Sequence, residues 1–210
     1  MRTRLVGLAA ASLLPLAALT GSVVPAQAAV VVDCAGGAVT VDQSVEDVTV
    51  TGVCTDITVS GSNSVVTVPD ATSLTVTGSN TTVTAGAVQE VAISGSNVRV
   101  STPGAGRVTV SGGNSRAVVA GTVGTAKITE ANSTVKAATI TTGLIKASNS
   151  DLVATSGTSV VVRGANNSVR YATLPKLTVV GANNHARVTK GKTKVTVKGP
   201  NNVIRVKKRA

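Results

Sequence analysis

The sequence predicts an all-β, single-domain parallel β-solenoid (β-helix), and three observations carry that expectation. Asparagine recurs as Asn63, Asn80, Asn97, Asn114, Asn132, Asn149, Asn166, Asn183 and Asn201, in steps of 17 or 18 residues. Short runs of alternating apolar and polar residues flank these asparagines, the pattern of half-buried strands. The 210 residues include 21 Gly but one Tyr and no Trp or Phe, so Val, Ile, Leu, Ala and Thr must fill the interior. A unit of 17 or 18 residues cannot bury a face by itself and must stack on its neighbours. Propeller blades would need about 40 residues each.

The chain opens on Arg2 and Arg4, an apolar run from Leu5 to Val24, and Ala26-Gln27-Ala28. This pattern predicts a signal peptide over 1–28 and a secreted or extracellular product, while Pro15, Gly21 and Pro25 interrupt the run and oppose a retained membrane helix. Residues 29–56 are expected to form N-terminal capping coils. The two cysteines, Cys34 and Cys54, stand 20 residues apart, about one coil plus a turn, and an exported chain favours their pairing as a disulfide. A redox or metal role lacks both a C-x-x-C and a second His.

Nine coils follow over 57–206. The strand before each Asn places Val59, Val76, Ile93, Val110, Ile128, Ile145, Val162, Val179 and Val197 in one inward column. The strand after it places Val66, Val83, Val100, Ala117, Val135, Leu152, Val169, Ala186 and Ile204 in another. These columns lie seven residues apart across the turn, not the six of a left-handed hexapeptide helix, and the twist of parallel crossovers favours a right-handed coil. The additional residue of the longer coils is expected in the far turns Gly121–Thr125 and Lys190–Lys194, and 207–210 in a basic tail.

Glycine stands two residues before the Asn in seven of nine copies, with Glu130 and Ala147 as the exceptions. Gly is expected to supply a positive φ, and the nine Asn side chains a structural amide ladder along the rod. Asn80, Asn132 and Asn166 also begin glycosylation sequons, read here as turn residues.

Asp33-Cys34, Cys54 within Thr51-Gly52-Val53-Cys54, and units such as Val59-Ser60-Gly61-Ser62-Asn63 resemble an actinobacterial family of secreted domains of unknown function with repeated G-S-N-N turns. The resemblance spans about residues 33–206 and includes the later turns at Gly164, Gly181 and Gly199. It implies a β-solenoid and export, and brings no activity or site residues.

No catalytic constellation is visible, and neither cofactor nor metal is expected. Asp56 and Glu90 share a repeat column but lie two coils apart with Ser73 between, about 9.6 Å at the strand spacing. His185 has Ser168 and Val203 as column mates, neither able to orient a base, and Tyr171 falls on an inward position. Charge is the remaining signal. Ala29–Ala120 holds seven acids and three Arg, net −4, whereas Gly121–Ala210 holds two acids and fifteen Lys or Arg, net +13. The repeat sets Arg170, Arg187 and Arg205 in one outward column and Arg163 and Lys198 in another, joined by Lys192, Lys194, Lys207 and Lys208.

This predicts a non-enzymatic scaffold held to an anionic cell-wall polymer, with nucleic acid a poorer partner for an exported chain. An alternative is ice or another surface bound by the rows of the first four coils, Thr58 and Ser60, Thr75 and Thr77, Ala92 and Ser94, Thr109 and Ser111, and a polysaccharide-active enzyme is the less favoured third reading. The simplest use of the cations is protection of an open sheet edge.

Overall fold

The computed structural model describes residues 29–210; the segment read as a signal peptide, 1–28, lies outside the described residues. The fold is an all-β parallel β-solenoid of about eleven turns, with no helix among the described residues. Its eighteen strands begin with β1 (Val30–Asp33), β2 (Val39–Val41), β3 (Asp47–Thr51), β4 (Asp56–Val59), β5 (Val65–Val68) and β6 (Ala71–Val76). They continue through β7 (Thr82–Ala85), β8 (Val88–Ile93), β9 (Arg99–Thr102), β10 (Ala105–Val110), β11 (Arg116–Ile128) and β12 (Thr134–Ile145). The last are β13 (Asp151–Ser156), β14 (Ser159–Arg163), β15 (Ser168–Thr173), β16 (Lys176–Val180), β17 (His185–Lys198) and β18 (Val203–Arg209).

Each strand pairs in parallel with its equivalents in the coils before and after. One stack runs β1–β3–β5–β7–β9 and the other β2–β4–β6–β8–β10, and both continue through β11 and β12, where two strands merge. Capping residues 29–56 are built like the coils that follow: Val30 lies opposite Val48, and Val39 opposite Ile57.

Both inward columns are found. Val59, Val76, Ile93, Val110, Ile128, Ile145, Val162 and Val179 are buried, as are Val66 through Ala186 in the second column. Each such Val, Leu or Ile contributes about 1.5–3 kcal/mol relative to exposure, which is how a unit without aromatics sustains a core. The expectation fails for Val197. It is 39% exposed, because β18 covers β17 only as far as Thr193 and Lys194–Lys198 carries no further strand among the described residues. Tyr171 is buried between Ala154 and Val188, and the absence of a side chain at Gly157 makes room for its ring. Burial pushes its phenol well above the ordinary range, and the hydroxyl has no hydrogen-bond partner.

One placement needs correction. Lys207, Lys208 and Arg209 are not a tail: Lys208 lies opposite Lys192 and Arg209 opposite Thr193 in β18, and the Ala210 N–H donates to the Thr193 carbonyl at 3.0 Å. Backbone pairing has recruited them into the stack. The first additional residue falls at Ala120–Gly121, where the register slips between Val119 and Thr122, at the near edge of the stretch expected. The second falls within Lys190–Lys194, where Gly191 takes φ 74°.

Cys34 and Cys54 form a disulfide, both buried, with Cα atoms 5.2 Å apart. It joins the segments following β1 and β3 in adjacent coils. Closing a loop of 20 residues restrains the unfolded chain by about 3 kcal/mol. Reduction is expected to lower stability by about that amount and to raise hydrogen exchange in β1–β4 while β7 onward stays protected, since a solenoid's stability is shared between neighbouring coils. Uniform loss of protection along the rod would contradict this.

Candidate functional site

The turn after each first strand is where the repeat is most demanding. All nine repeat asparagines adopt the left-handed conformation, φ 54° to 59°, a region that Asn tolerates better than other side-chain-bearing residues. Their backbone N–H groups, from Asn63 to Asn183, donate to a carbonyl of the next coil's turn, as Asn97 does to Gly113 at 3.0 Å and Asn149 to Ala165 at 3.1 Å. Glycine does not take the role expected of it in the early coils. Gly61, Gly78, Gly95 and Gly112 have no positive φ; a Cβ on Gly78 would stand 2.0 Å from the Gly61 carbonyl oxygen. Bare backbone is needed there because successive coils almost touch. Only Gly164, Gly181 and Gly199 combine that crowding with a positive φ.

Glu130 and Ala147 fit because the turn changes. In the earlier coils the glycine N–H and the N–H before it share one carbonyl below, as Ser94 and Gly95 share that of Val76. At the two exceptions only the preceding residue, Thr129 or Lys146, makes that bond.

The expected ladder of nine amides is found only in part and needs correction. Asn80 Nδ2 donates to Asn63 Oδ1 at 3.1 Å and Asn97 Nδ2 to Asn80 Oδ1 at 2.9 Å, and the side-chain ladder stops there. Asn114, Asn132, Asn149, Asn166, Asn183 and Asn201 keep the left-handed backbone but add no rung. All nine face solvent, so an amide outside the ladder can turn to water instead of its neighbour.

The continuous polar column lies one residue later and inside: Ser64, Thr81, Ser115, Ser133, Ser150, Asn167 and Asn184 are all buried, interrupted only by Val98. The Ser133 hydroxyl lies 3.0 and 3.2 Å from the carbonyls of Gly112 and Ala131, and its oxygen accepts from the Ser115 N–H. From Asn167 onward an amide replaces the hydroxyl: Asn184 Nδ2 donates to Gly164 at 2.9 Å while its Oδ1 accepts from the Asn167 N–H. The sequence signal for this column was the second Asn of each N-N pair and the Ser or Thr at the same place in earlier coils.

These turn residues also relate the chain to known sequences. Residues 41–87 and 145–201 match the model of a family described as Protein of unknown function (DUF3060). The first DUF3060-matching segment contains the turns Gly61-Ser62-Asn63 and Gly78-Ser79-Asn80, each with a buried Ser or Thr behind the Asn; the second opens on the altered turn Ala147-Ser148-Asn149 and continues through the G-x-N turns at Gly164, Gly181 and Gly199. No curated protein and no solved structure matches the chain.

A tenth copy of the turn was hidden. Val45 precedes Asn63 by one coil, donates its N–H to Ser62 at 3.0 Å and holds φ 63°, with 70% of its surface exposed. A β-branched residue there is strained by about 1–2 kcal/mol. Val45→Asn is expected to stabilise the protein by about 1 kcal/mol, seen as a raised thermal midpoint; an unchanged or lowered midpoint would show that Val45 has contacts worth the strain.

The same regularity assembles the cations. On β15, Val169 and Tyr171 point inward and Arg170 outward; Arg187 repeats this between Ala186 and Val188, and Arg205 between Ile204 and Val206. Arg170, Arg187 and Arg205 are directly opposite one another and exposed. Arg187, Thr189, Arg205 and Lys207 line a shallow groove. Lys194 stacks on Lys176, and Lys208 on Lys192. Arg163 and Lys198 share a column but Val180 separates them, leaving them two coils apart. Among the described residues the one ion pair is Arg107–Glu90, at 3.9 Å and largely exposed, so none of the C-terminal cations is paired with a carboxylate.

Elsewhere, Asp56, Ser73, Glu90 and Arg107 do share one column, with Asp56 accepting from the Ser73 hydroxyl and Glu90 facing Arg107. His185 is exposed between Ser168 and Val203. No group of three His, Cys, Asp or Glu that could hold a metal ion occurs among the described residues. In the hydroxyl rows, Ser60, Thr77, Ser94 and Ser111 turn back onto the carbonyls of the coil below at 3.2–3.5 Å.

Proposed function

We propose that the protein is an exported, non-enzymatic scaffold whose C-terminal half holds an anionic polymer of the cell envelope. The observation that carries this reading is the in-register row Arg170–Arg187–Arg205, exposed and free of carboxylate partners. Strand pairing spaces the row at about 4.8 Å per coil, and no acid occurs after Asp151 to neutralise it. A polymer lying along the rod meets a guanidinium at each of the last three coils, with Lys176 and Lys194 on the other strand stack. Arginine's planar fork suits carboxylate or phosphate groups better than a lysine point charge would. The export expectation supports an envelope ligand over nucleic acid. The G-x-N turns, which resemble the G-S-N-N turns of a family of exported actinobacterial sequences, favour the same compartment. The ice-binding alternative is weakened by the hydroxyls that turn back onto backbone.

Changing Arg163, Arg170, Arg187, Lys192, Lys194, Lys198, Arg205, Lys207 and Lys208 to Gln is expected to leave the fold intact and to abolish retention on isolated envelopes. Retention of the unmodified protein should fall steeply as salt shortens the Debye length from about 10 Å to about 3 Å. If the substituted protein is retained as well as the original, or if neither is retained, the cations serve only to protect the sheet edge.

A further inference from the structure

The first half of the rod contains a cationic site that the polymer reading does not use. Between Ala29 and Val98 there are seven acids and no Lys or Arg. The run ends with Arg99 and Arg116, placed directly opposite each other in adjacent coils with no carboxylate partner among the described residues. They share a surface depression with the amides of Asn97, Asn114 and Asn132, floored by the buried Val98 and Ser115. Two features mark the depression as more than a stretch of turn. The amide ladder ends at Asn97, so the carboxamides of Asn114 and Asn132 make no ladder bond. The Nε of Arg116 is shielded from solvent and has no hydrogen-bond partner, an arrangement that costs free energy unless something accepts from it.

Two like charges one coil apart, an unsatisfied guanidinium N–H and a set of amides able both to donate and to accept have a common complement. It is an oxyanion, carboxylate or phosphate, attached to a hydroxyl-rich body. We propose that Arg99 and Arg116 bind the acidic group of a sugar, while Asn97, Asn114 and Asn132 bond its hydroxyls. The anion lies between the two guanidiniums and relieves their repulsion, and Arg116 Nε gains its acceptor. A neutral sugar offers only the second half of these interactions, and inorganic phosphate only the first.

The test is titration of the full chain with glucuronate, glucose 6-phosphate, inorganic phosphate and glucose at low salt. Binding is followed by the side-chain amide resonances of Asn97, Asn114 and Asn132. Saturable shifts with either acidic sugar, and at least tenfold weaker binding of phosphate and of glucose, are expected. Arg116→Gln and Arg99→Gln should each weaken acidic-sugar binding at least tenfold, with an unchanged far-ultraviolet spectrum. Arg187→Gln should not affect it, which separates this site from the C-terminal rows. Preference for glucuronate or for the sugar phosphate identifies which oxyanion the site takes. No saturable shift with either, equal binding of glucose, or unchanged affinity in Arg116→Gln would overturn the proposal.

Discussion

Gly95→Ala is expected to destabilise the middle of the rod by about 3 kcal/mol, although it adds one methyl group to a surface turn. The new Cβ would stand 2.1 Å from the Gly78 carbonyl oxygen and 2.8 Å from its carbon, with the Thr77 oxygen at 2.9 Å. All three are backbone atoms of the coil below, so relief requires prying two coils apart and stretching the bonds of Ser94 and Gly95 to Val76. Gly104 provides the control: a Cβ there meets nothing within 4 Å. Gly104→Ala should be neutral or slightly stabilising through the unfolded chain. Equal losses of thermal midpoint for the two variants would remove the close-approach argument.

The second large effect separates two adjacent asparagines. Asn183 is exposed at φ 55°, whereas Asn184 is 2% exposed and uses its whole amide. Nδ2 donates to Gly164 at 2.9 Å and to Asn202 Oδ1 at 3.1 Å, while Oδ1 accepts from the backbone and side-chain nitrogens of Asn167. Asn184→Leu keeps the approximate shape and strands these partners in the interior, an expected loss of about 3 kcal/mol or more. Asn183→Gly should cost only a few tenths of a kcal/mol, because Gly also accepts a left-handed backbone. Asn184→Ser should fall between, since Ser150 serves in the same column. Denaturant unfolding of the three variants orders them, and an Asn183→Gly loss matching that of Asn184→Leu would refute the assignment of the inner column.

These two predictions mark what was legible in the chain. The period was open to reading because the left-handed turn admits few residues, so selection for backbone shape left Asn visible every coil. The amide ladder was over-read from the same signal: Asn149 and its later equivalents are held by the φ they adopt, not by bonds between their side chains. The inward apolar columns followed from strict alternation. The buried polar column was not legible by the same means: Ser, Thr and Asn are usually surface residues, and here they alternate with one another and once with Val98. Position, not chemistry, was their common property. Val45 was missed for the opposite reason, since its backbone obeys the repeat while its side chain does not. The cationic rows could be drawn from spacing alone. Lys207 to Arg209 were misplaced because the turn after Asn201 has no later Asn to mark another coil, while backbone pairing continues to Ala210. Arg99 and Arg116 emerged only once the ends of the amide ladder and the unpartnered Nε were seen together.

Because each coil meets only the coils before and after it in the same register, the rod is quantised for any genetic change in its length. Removing Asn80–Ser96, 17 residues, would join Ser79 to Asn97 and bring together surfaces that already match: Val66 would face Val100, and Val76 would face Val110. Removing one residue fewer would turn every later inward side chain to the outside, since strand faces alternate with a period of two. Unequal crossing-over between repeats could therefore shorten or lengthen this molecule in whole coils, adding or deleting a charge of the Arg170 row with each step taken among the coils of Arg170, Arg187 and Arg205, without any coil having to be redesigned.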